Sequence, residues 1–192
     1  MGREFELKFC TEEAVQDAIE QKYGPFQSIT METTYFDTPE GALSARHITL
    51  RRRMENGQSV CTVKTPCADG GRGEWERNWD EPATMVPALC ECGAPAELLD
   101  LTRDGIIPVC GARFLRKAVT LPVPGGAVEL ALDRGVLMGG EKEIPLCEVE
   151  VELKAGSDEG AILFARLLAA EFPLRKEKDS KFRRAQLLAK KP

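Results

Sequence analysis

Glu4, Glu6 and Lys8 occupy alternate positions in the run Glu4-Phe5-Glu6-Leu7-Lys8-Phe9. Glu148, Glu150, Glu152 and Lys154 do the same in Cys147-Glu148-Val149-Glu150-Val151-Glu152-Leu153-Lys154. Side chains two apart on a β-strand share a face and sit roughly 6.6 Å from each other, so each run would present carboxylates in line beside an ammonium. An ordinary strand with one wet face alternates in the same way. Three carboxylates in line, however, repel one another on a solvated sheet, and they become sensible when they face cations. Other alternating runs supply those cations: Arg51 and Arg53 share a face with Thr49, Lys64 with Val60 and Thr62, and Arg116 with Phe114. Glu76, Glu129 and Asp133 add acids on the same reasoning, and Lys181 and Arg184 can reach in from a basic C-terminal helix. Guanidinium and ammonium groups take phosphate oxygens, whereas carboxylates hold hard divalent cations such as Mg²⁺ or Mn²⁺. Burying so many charges without a ligand would cost several kcal/mol per ion. The residues therefore predict a metal-dependent site for a phosphate compound.

The elements that must carry these residues are mostly hairpin-linked strands. His47 to Met54 returns through Asn56-Gly57, a strong hairpin signal, as Ser59 to Thr65. Ala112 to Pro122 turns at Pro124-Gly125-Gly126 into Val128 to Val136, and Gly139-Gly140 leads into the triple-glutamate strand. Thr11 reads as the N-cap of a helix that Gly24-Pro25 ends, and Ser157 starts a second long helix that stops at Pro173. Short helices are expected between Pro82 and Pro108, and a last one from about Ser180 to Leu188. The fold expected is α+β: one domain over residues 1–192, built as a closed eight-stranded antiparallel β-barrel with flanking helices. Apolar faces would pack outward against helices and loops, leaving the charged faces to line a tunnel. Asp69-Gly70-Gly71-Arg72-Gly73 matches no phosphate-binding loop and reads as a hairpin connection.

Composition narrows the function further. A net charge of −5 argues against a general nucleic-acid-binding surface. No apolar run approaches the length of a membrane span, and no signal-peptide pattern stands before the first strand, so a cytoplasmic protein with no membrane role is expected. Seven cysteines without a CxxC pair and a single histidine, His47, make a zinc site improbable on ligand grounds and read as reduced, structural thiols.

With these motifs in order, Glu4-Phe5-Glu6-Leu7-Lys8 matches the ExExK signature and the chain resembles the CYTH superfamily, the triphosphate tunnel metalloenzymes. Tyr35-Phe36-Asp37-Thr38-Pro39, Leu50-Arg51-Arg52-Arg53, Thr62-Val63-Lys64, Glu129-Leu130-Ala131-Leu132-Asp133, the triple-glutamate strand and Ser180-Lys181 follow in the family's order, across almost the whole chain. The resemblance is greatest to bacterial inorganic triphosphatases. It implies that Lys8, Arg51, Arg53, Lys64, Arg116, Lys181 and Arg184 grip a linear triphosphate. It also implies that Glu4, Glu6, Glu148 and Glu150, with Glu152 and Asp133 as further ligands, hold one or two Mg²⁺ or Mn²⁺ ions. Glu76 and Glu129 would position metal or water. Ala118 stands where some relatives carry a basic residue, a role open to Lys117 or Arg113. The implied partner is a small-molecule triphosphate, on a monomer or homodimer. An adenylate cyclase or thiamine triphosphatase on the same fold, and a non-catalytic polyphosphate-binding module, are the competing readings.

Overall fold

The computed structural model describes residues 2–3, 5–67 and 72–190. Its strands are β1 (Gly2–Arg3), β2 (Glu6–Cys10), β3 (Gln27–Asp37), β4 (Thr49–Glu55), β5 (Gln58–Pro66), β6 (Arg72–Asn78), β7 (Ile107–Val123), β8 (Gly126–Gly139), β9 (Lys142–Gly156) and β10 (Arg175–Lys176). Its helices are α1 (Glu13–Tyr23), α2 (Ala42–Ala45), α3 (Met85–Glu91), α4 (Glu97–Leu101), α5 (Asp158–Glu171) and α6 (Lys181–Lys190). The strands form one antiparallel sheet in the order β1-β6-β5-β4-β3-β7-β8-β9-β2-β10.

This corrects the closed eight-stranded barrel in two respects. Two short pairings add segments: β10 extends the edge beyond β2, and the N-terminal run divides its pairing. Gly2 and Arg3 pair with β6, whereas Glu6 to Cys10 pair with β9. Among the described residues the hydrogen-bond ladder therefore does not close. The two sides of the sheet are joined by the chain itself, within residues 2–10, which makes nine strands if that run is counted once. Glu4 lies outside the described residues, as do Asp69, Gly70 and Gly71 of the glycine-rich connection.

Local chemistry explains most of the turns. Asn56 and Gly57 take φ of 49° and 85°, the two positive values that a tight type I′ hairpin requires. Helix α1 begins differently from the sequence expectation. Glu12 stands at its N-cap without a side-chain cap, and the Thr11 hydroxyl donates instead to the Pro173 carbonyl at 3.2 Å.

Apolar strand faces do pack outward. Leu50, Cys61 and Val63 meet Met85, Leu89 and Leu98 of α3 and α4, while Leu130, Val149 and Val151 meet Ile19 of α1 and Ala165 and Leu168 of α5. A third cluster is of a different kind. Phe114, Leu137 and Leu146 lie on the inward faces that also carry Arg116, Asp133 and Glu148, and α6 packs Ala185 onto them with Met31. Helix α6 thus covers one end of the interior with an apolar plug, and Lys181 enters beside it. A Cβ on Gly139 would stand 2.3 Å from the Ala185 oxygen and 2.6 Å from the Ala189 nitrogen, so glycine is what lets α6 lie against β8. Gly139→Ala is expected to lower stability by about 1–3 kcal/mol. A urea titration reads this as a lower midpoint at unchanged slope; an unmoved midpoint would mean that α6 is seated elsewhere.

Among the described residues no helix is long and apolar enough to cross a membrane. All seven cysteines are free thiols. Burial pushes Cys10 and Cys61 up to about 11 and Cys110 up to about 12, which keeps these three protonated.

Candidate active site

Register arranges the inward side chains in rungs across neighbouring strands. Glu6 of β2 lies opposite Glu152 of β9, which lies opposite Glu129 of β8. One step further in, Lys8 lies opposite Glu150, and Ala131 completes that rung. The next step brings Cys10, Glu148, Asp133 and Arg116 into line. Directly opposed carboxylates repel, and lysines stand beside the outermost rung. Lys8 stands 3.5 Å from Glu6, and Lys154 stands 3.0 Å from Glu152 and 3.9 Å from Glu129.

The basic wall comes from β4 and β5. Arg53 is buried, its Nε donates to Thr33 Oγ1 at 3.1 Å, and Glu55 lies 3.6 Å away. Burial, aided by the neighbouring Arg51 charge, pulls the Arg53 guanidinium down to about 10, so it remains a cation at neutral pH. Arg51 and Lys64 both turn toward Glu74 of β6, at 3.7 and 3.4 Å. Phe114 serves as a common platform: Arg53, Arg116 and Lys181 all lie within 6.0 Å of its ring centre, a distance at which a cation is attracted to the ring face.

Between the two walls lies a compact ionic cluster. Lys181 contacts Asp133 at 2.8 Å, Glu150 at 2.6 Å and also Glu148. Arg116 makes a two-pronged contact with Asp133, both bonds 2.7 Å, and reaches Glu150; Arg184 binds Glu148 and stands 3.5 Å from Glu177. Asp133 and Glu148 are completely buried. Burial opposes the charge on Lys181 and Arg116, yet the surrounding carboxylates more than reverse this and raise both pKa values. Burial pushes Glu148 up to about 7 against the pull of Lys181, whereas Lys181 and Arg116 overcome burial at Glu150 and hold it well below the ordinary carboxylate range. Glu150 is therefore the firmly ionised member of the pair.

These groups surround a cavity of about 660 Å³. Of the residues singled out by sequence, Glu6, Lys8, Arg51, Arg53, Lys64, Glu76, Arg116, Glu129, Glu150, Glu152 and Lys181 line it. Asp133, Glu148 and Arg184 lie outside its lining, tied to one another through Lys181 and Arg116. Glu4 is outside the described residues. Neither candidate substitute at the Ala118 position faces inward: Lys117 pairs with Glu20 of α1 at 2.6 Å and Arg113 with Glu143 at 2.8 Å. Sequence reasoning gave no site role to Glu74, to Tyr35 or to Lys154, which it placed only on the face of the three glutamates; all three line the cavity. Glu74 could have been found, since it shares its strand face with Glu76.

Two sets of acids could hold a metal. Asp133, Glu148 and Glu150 bring carboxylate oxygens within 4.8 Å of one another, but Arg116, Lys181 and Arg184 already neutralise them. The side chains of Glu6, Glu129 and Glu152 are 29%, 23% and 28% exposed and offer water-accessible oxygens; Glu150 lines the same cavity but its oxygens are held by Lys181 and Arg116. That donor set suits a hard divalent cation that keeps several waters.

An antiparallel sheet thus wraps opposed acidic and basic walls around one cavity. The chain belongs to the CYTH domain family, whose pattern matches residues 2–185. It is 26% identical over 198 residues to an inorganic triphosphatase of Haemophilus influenzae; the alignment covers 100% of this chain and 56% of that protein, so the chain spans about half the length of this relative. In fold it is similar to PH1819 protein from Pyrococcus horikoshii OT3, with a TM-score of 0.66 at 22% identity, covering 98% of this chain and 99% of that one. It is also similar to the Hippeastrum protein HpAC1, in which a dominant triphosphatase activity is found, with a TM-score of 0.64 at 18% identity over 95% and 93% of the two chains.

Proposed function

We propose that this protein hydrolyses inorganic triphosphate to pyrophosphate and phosphate in its charged cavity, with Mg²⁺ or Mn²⁺. One observation carries the reading: a single cavity has guanidinium and ammonium groups on one wall and a rung of accessible carboxylates on another. Family membership and the Haemophilus influenzae relative support it. Arg51, Arg53 and Lys64 bind phosphate oxygens from the β4–β5 side, and Arg116, Lys181 and Lys8 bind them from below. Glu6, Glu152 and Glu150, with Glu129 beside them and Glu4 adjacent in sequence, are the metal-holding set. The metal, when bound, offsets phosphate charge and supplies an activated water for in-line attack. Asp133, Glu148 and Arg184 act one layer back, fixing Lys181 and Arg116 at the cavity floor. Glu76 orients groups at the basic wall.

A second reading, an organic triphosphate substrate, is favoured by Ile29, Met31, Tyr35 and Trp75 on the lining, which could receive an apolar or aromatic group. Phosphate release from inorganic triphosphate, ATP and thiamine triphosphate, each with Mg²⁺, Mn²⁺ or EDTA, separates the two. The expected result is turnover of inorganic triphosphate that far exceeds the other two and falls to background in EDTA. Cyclic AMP from ATP, or faster thiamine triphosphate cleavage, would transfer the protein to the second reading. Metal-independent binding without turnover would leave a binding module.

A further inference from the structure

Thr62 and Arg51 stand directly opposite each other on β5 and β4, and opposed residues of an antiparallel pair point to the same face. Arg51 lines the cavity, so Thr62 lies beneath it on the inward face, 1% exposed. Thr62 Oγ1 and Arg51 Nε are both buried without a hydrogen-bond partner among the described residues. Buried orphans of this kind are rare in folded proteins, and here a donor and an acceptor are orphaned on directly opposed residues. The next arginine shows the completed arrangement. Arg53 lies opposite Thr33 on its other flank, and its Nε donates to the Thr33 hydroxyl at 3.1 Å. Each arginine has a carboxylate near its terminal nitrogens, Glu55 of the same strand at 3.6 Å from Arg53 and Glu74 at 3.7 Å from Arg51; Glu74 differs in standing across on β6, where Arg51 and Lys64 share it.

We infer that Arg51 has two seats, and that Thr62 is the positioning residue for the second. With the cavity empty of anion, Glu74 holds Arg51. A polyphosphate takes over the role of Glu74, and the guanidinium settles with its Nε–H on Thr62 Oγ1 and its terminal nitrogens directed at phosphate oxygens. Glu74 keeps Lys64 as its partner in both states. This rests on the proposed reading of the cavity as a polyphosphate site.

The test is calorimetric binding, in Mg²⁺, of a methylene-bridged analogue of inorganic triphosphate, which resists hydrolysis, together with melting curves of the unliganded proteins. Thr62→Val keeps the shape and deletes the orphan hydroxyl. It should melt no lower than the wild type yet bind about tenfold more weakly, and Thr62→Ser should bind within about twofold of the wild type. Glu74→Gln, which frees Arg51, should bind more tightly than the wild type. Wild-type affinity in Thr62→Val, or weakened binding in Glu74→Gln, would overturn the two-seat inference while leaving the polyphosphate site standing. No binding by the wild type would overturn both.

Discussion

Lys181→Met should cost the protein both its fold stability and its activity. The ammonium is almost fully enclosed and is, among the described residues, the one cation in contact with all three of Asp133, Glu148 and Glu150. Its removal leaves Arg116 and Arg184 to balance three buried carboxylates. Deleting one partner of a buried ionic group typically costs about 3–5 kcal/mol, which for a chain of this size lowers the melting temperature by roughly 10 °C. Phosphate release should fall to background, because Lys181 is also a cavity residue. The deficit should be smaller at pH 5 than at pH 8. Glu148 has a folded pKa near 7 against an ordinary 4.5, so its favourable protonated form is fully present below 4.5 and is lost as pH rises through 7; removing Lys181 raises that pKa further. A second variant separates structure from catalysis. Lys181→Met combined with Glu148→Gln leaves Asp133 and Glu150 on Arg116 and Arg184 beside Glu177, and it should recover part of the stability and none of the activity. A single variant that melts within about 2 °C of the wild type, or a double variant no more stable than the single one, would show that the cluster is not held together by this charge balance.

The cluster also explains how the cavity can keep its buried cations charged. A buried lysine or arginine without partners would lose its proton or find no stable position. Asp133 and Glu148 prevent this from behind, where no ligand competes with them, and so present Arg116 and Lys181 charged at the floor. Gln16 of α1 braces the same place from outside, donating from its amide to the Asp133 and Glu148 carbonyls at 3.0 and 2.9 Å.

Much of this arrangement is legible in the sequence, because alternation along a strand fixes a shared face whatever the partner strand. Arg51 with Arg53, and Glu148 with Glu150 and Glu152, could be grouped on that ground alone, and Asn56-Gly57 fixes its own hairpin through backbone sterics. Register is not legible. Without the pairing of Lys64 with Glu74 and of Arg51 with Thr62, Glu74 is one more acid on a mixed strand. Tertiary docking is equally hidden: Asp133 and Glu148 resemble Glu6 and Glu152 in sequence, and only the seat of α6, permitted by Gly139, turns them from cavity acids into counter-ions. Closure of the sheet failed as an expectation because it depends on how one short N-terminal run shares its backbone bonds between β6 and β9, and the pattern of side chains does not encode that choice.

Glu6→Gln is expected to separate activity from stability in the opposite sense to Lys181→Met. Glu6 sits in the rung with Glu152 and Glu129, where neighbouring carboxylates face one another at the cavity wall. The amide has nearly the same shape, and the loss of one negative charge relieves repulsion within the rung. Stability should therefore change by no more than about 0.5 kcal/mol. The amide is a much poorer ligand for Mg²⁺ or Mn²⁺ than the carboxylate, and turnover of inorganic triphosphate should fall on the order of 10³-fold with metal present. Lys8→Ala should lose turnover as well, since the ammonium stands 3.5 Å from Glu6 and lines the same cavity. Paired measurements of phosphate release and thermal melting decide the matter. Inactive proteins that melt like the wild type place Glu6 and Lys8 in the chemistry, whereas fully active, well-folded variants at both positions would remove the outer rung from the metal site. The contrast with Lys181 follows from position in the rungs: acids at the open end are partly exposed at the cavity wall, while those at the plugged end are committed to the protein's own cations.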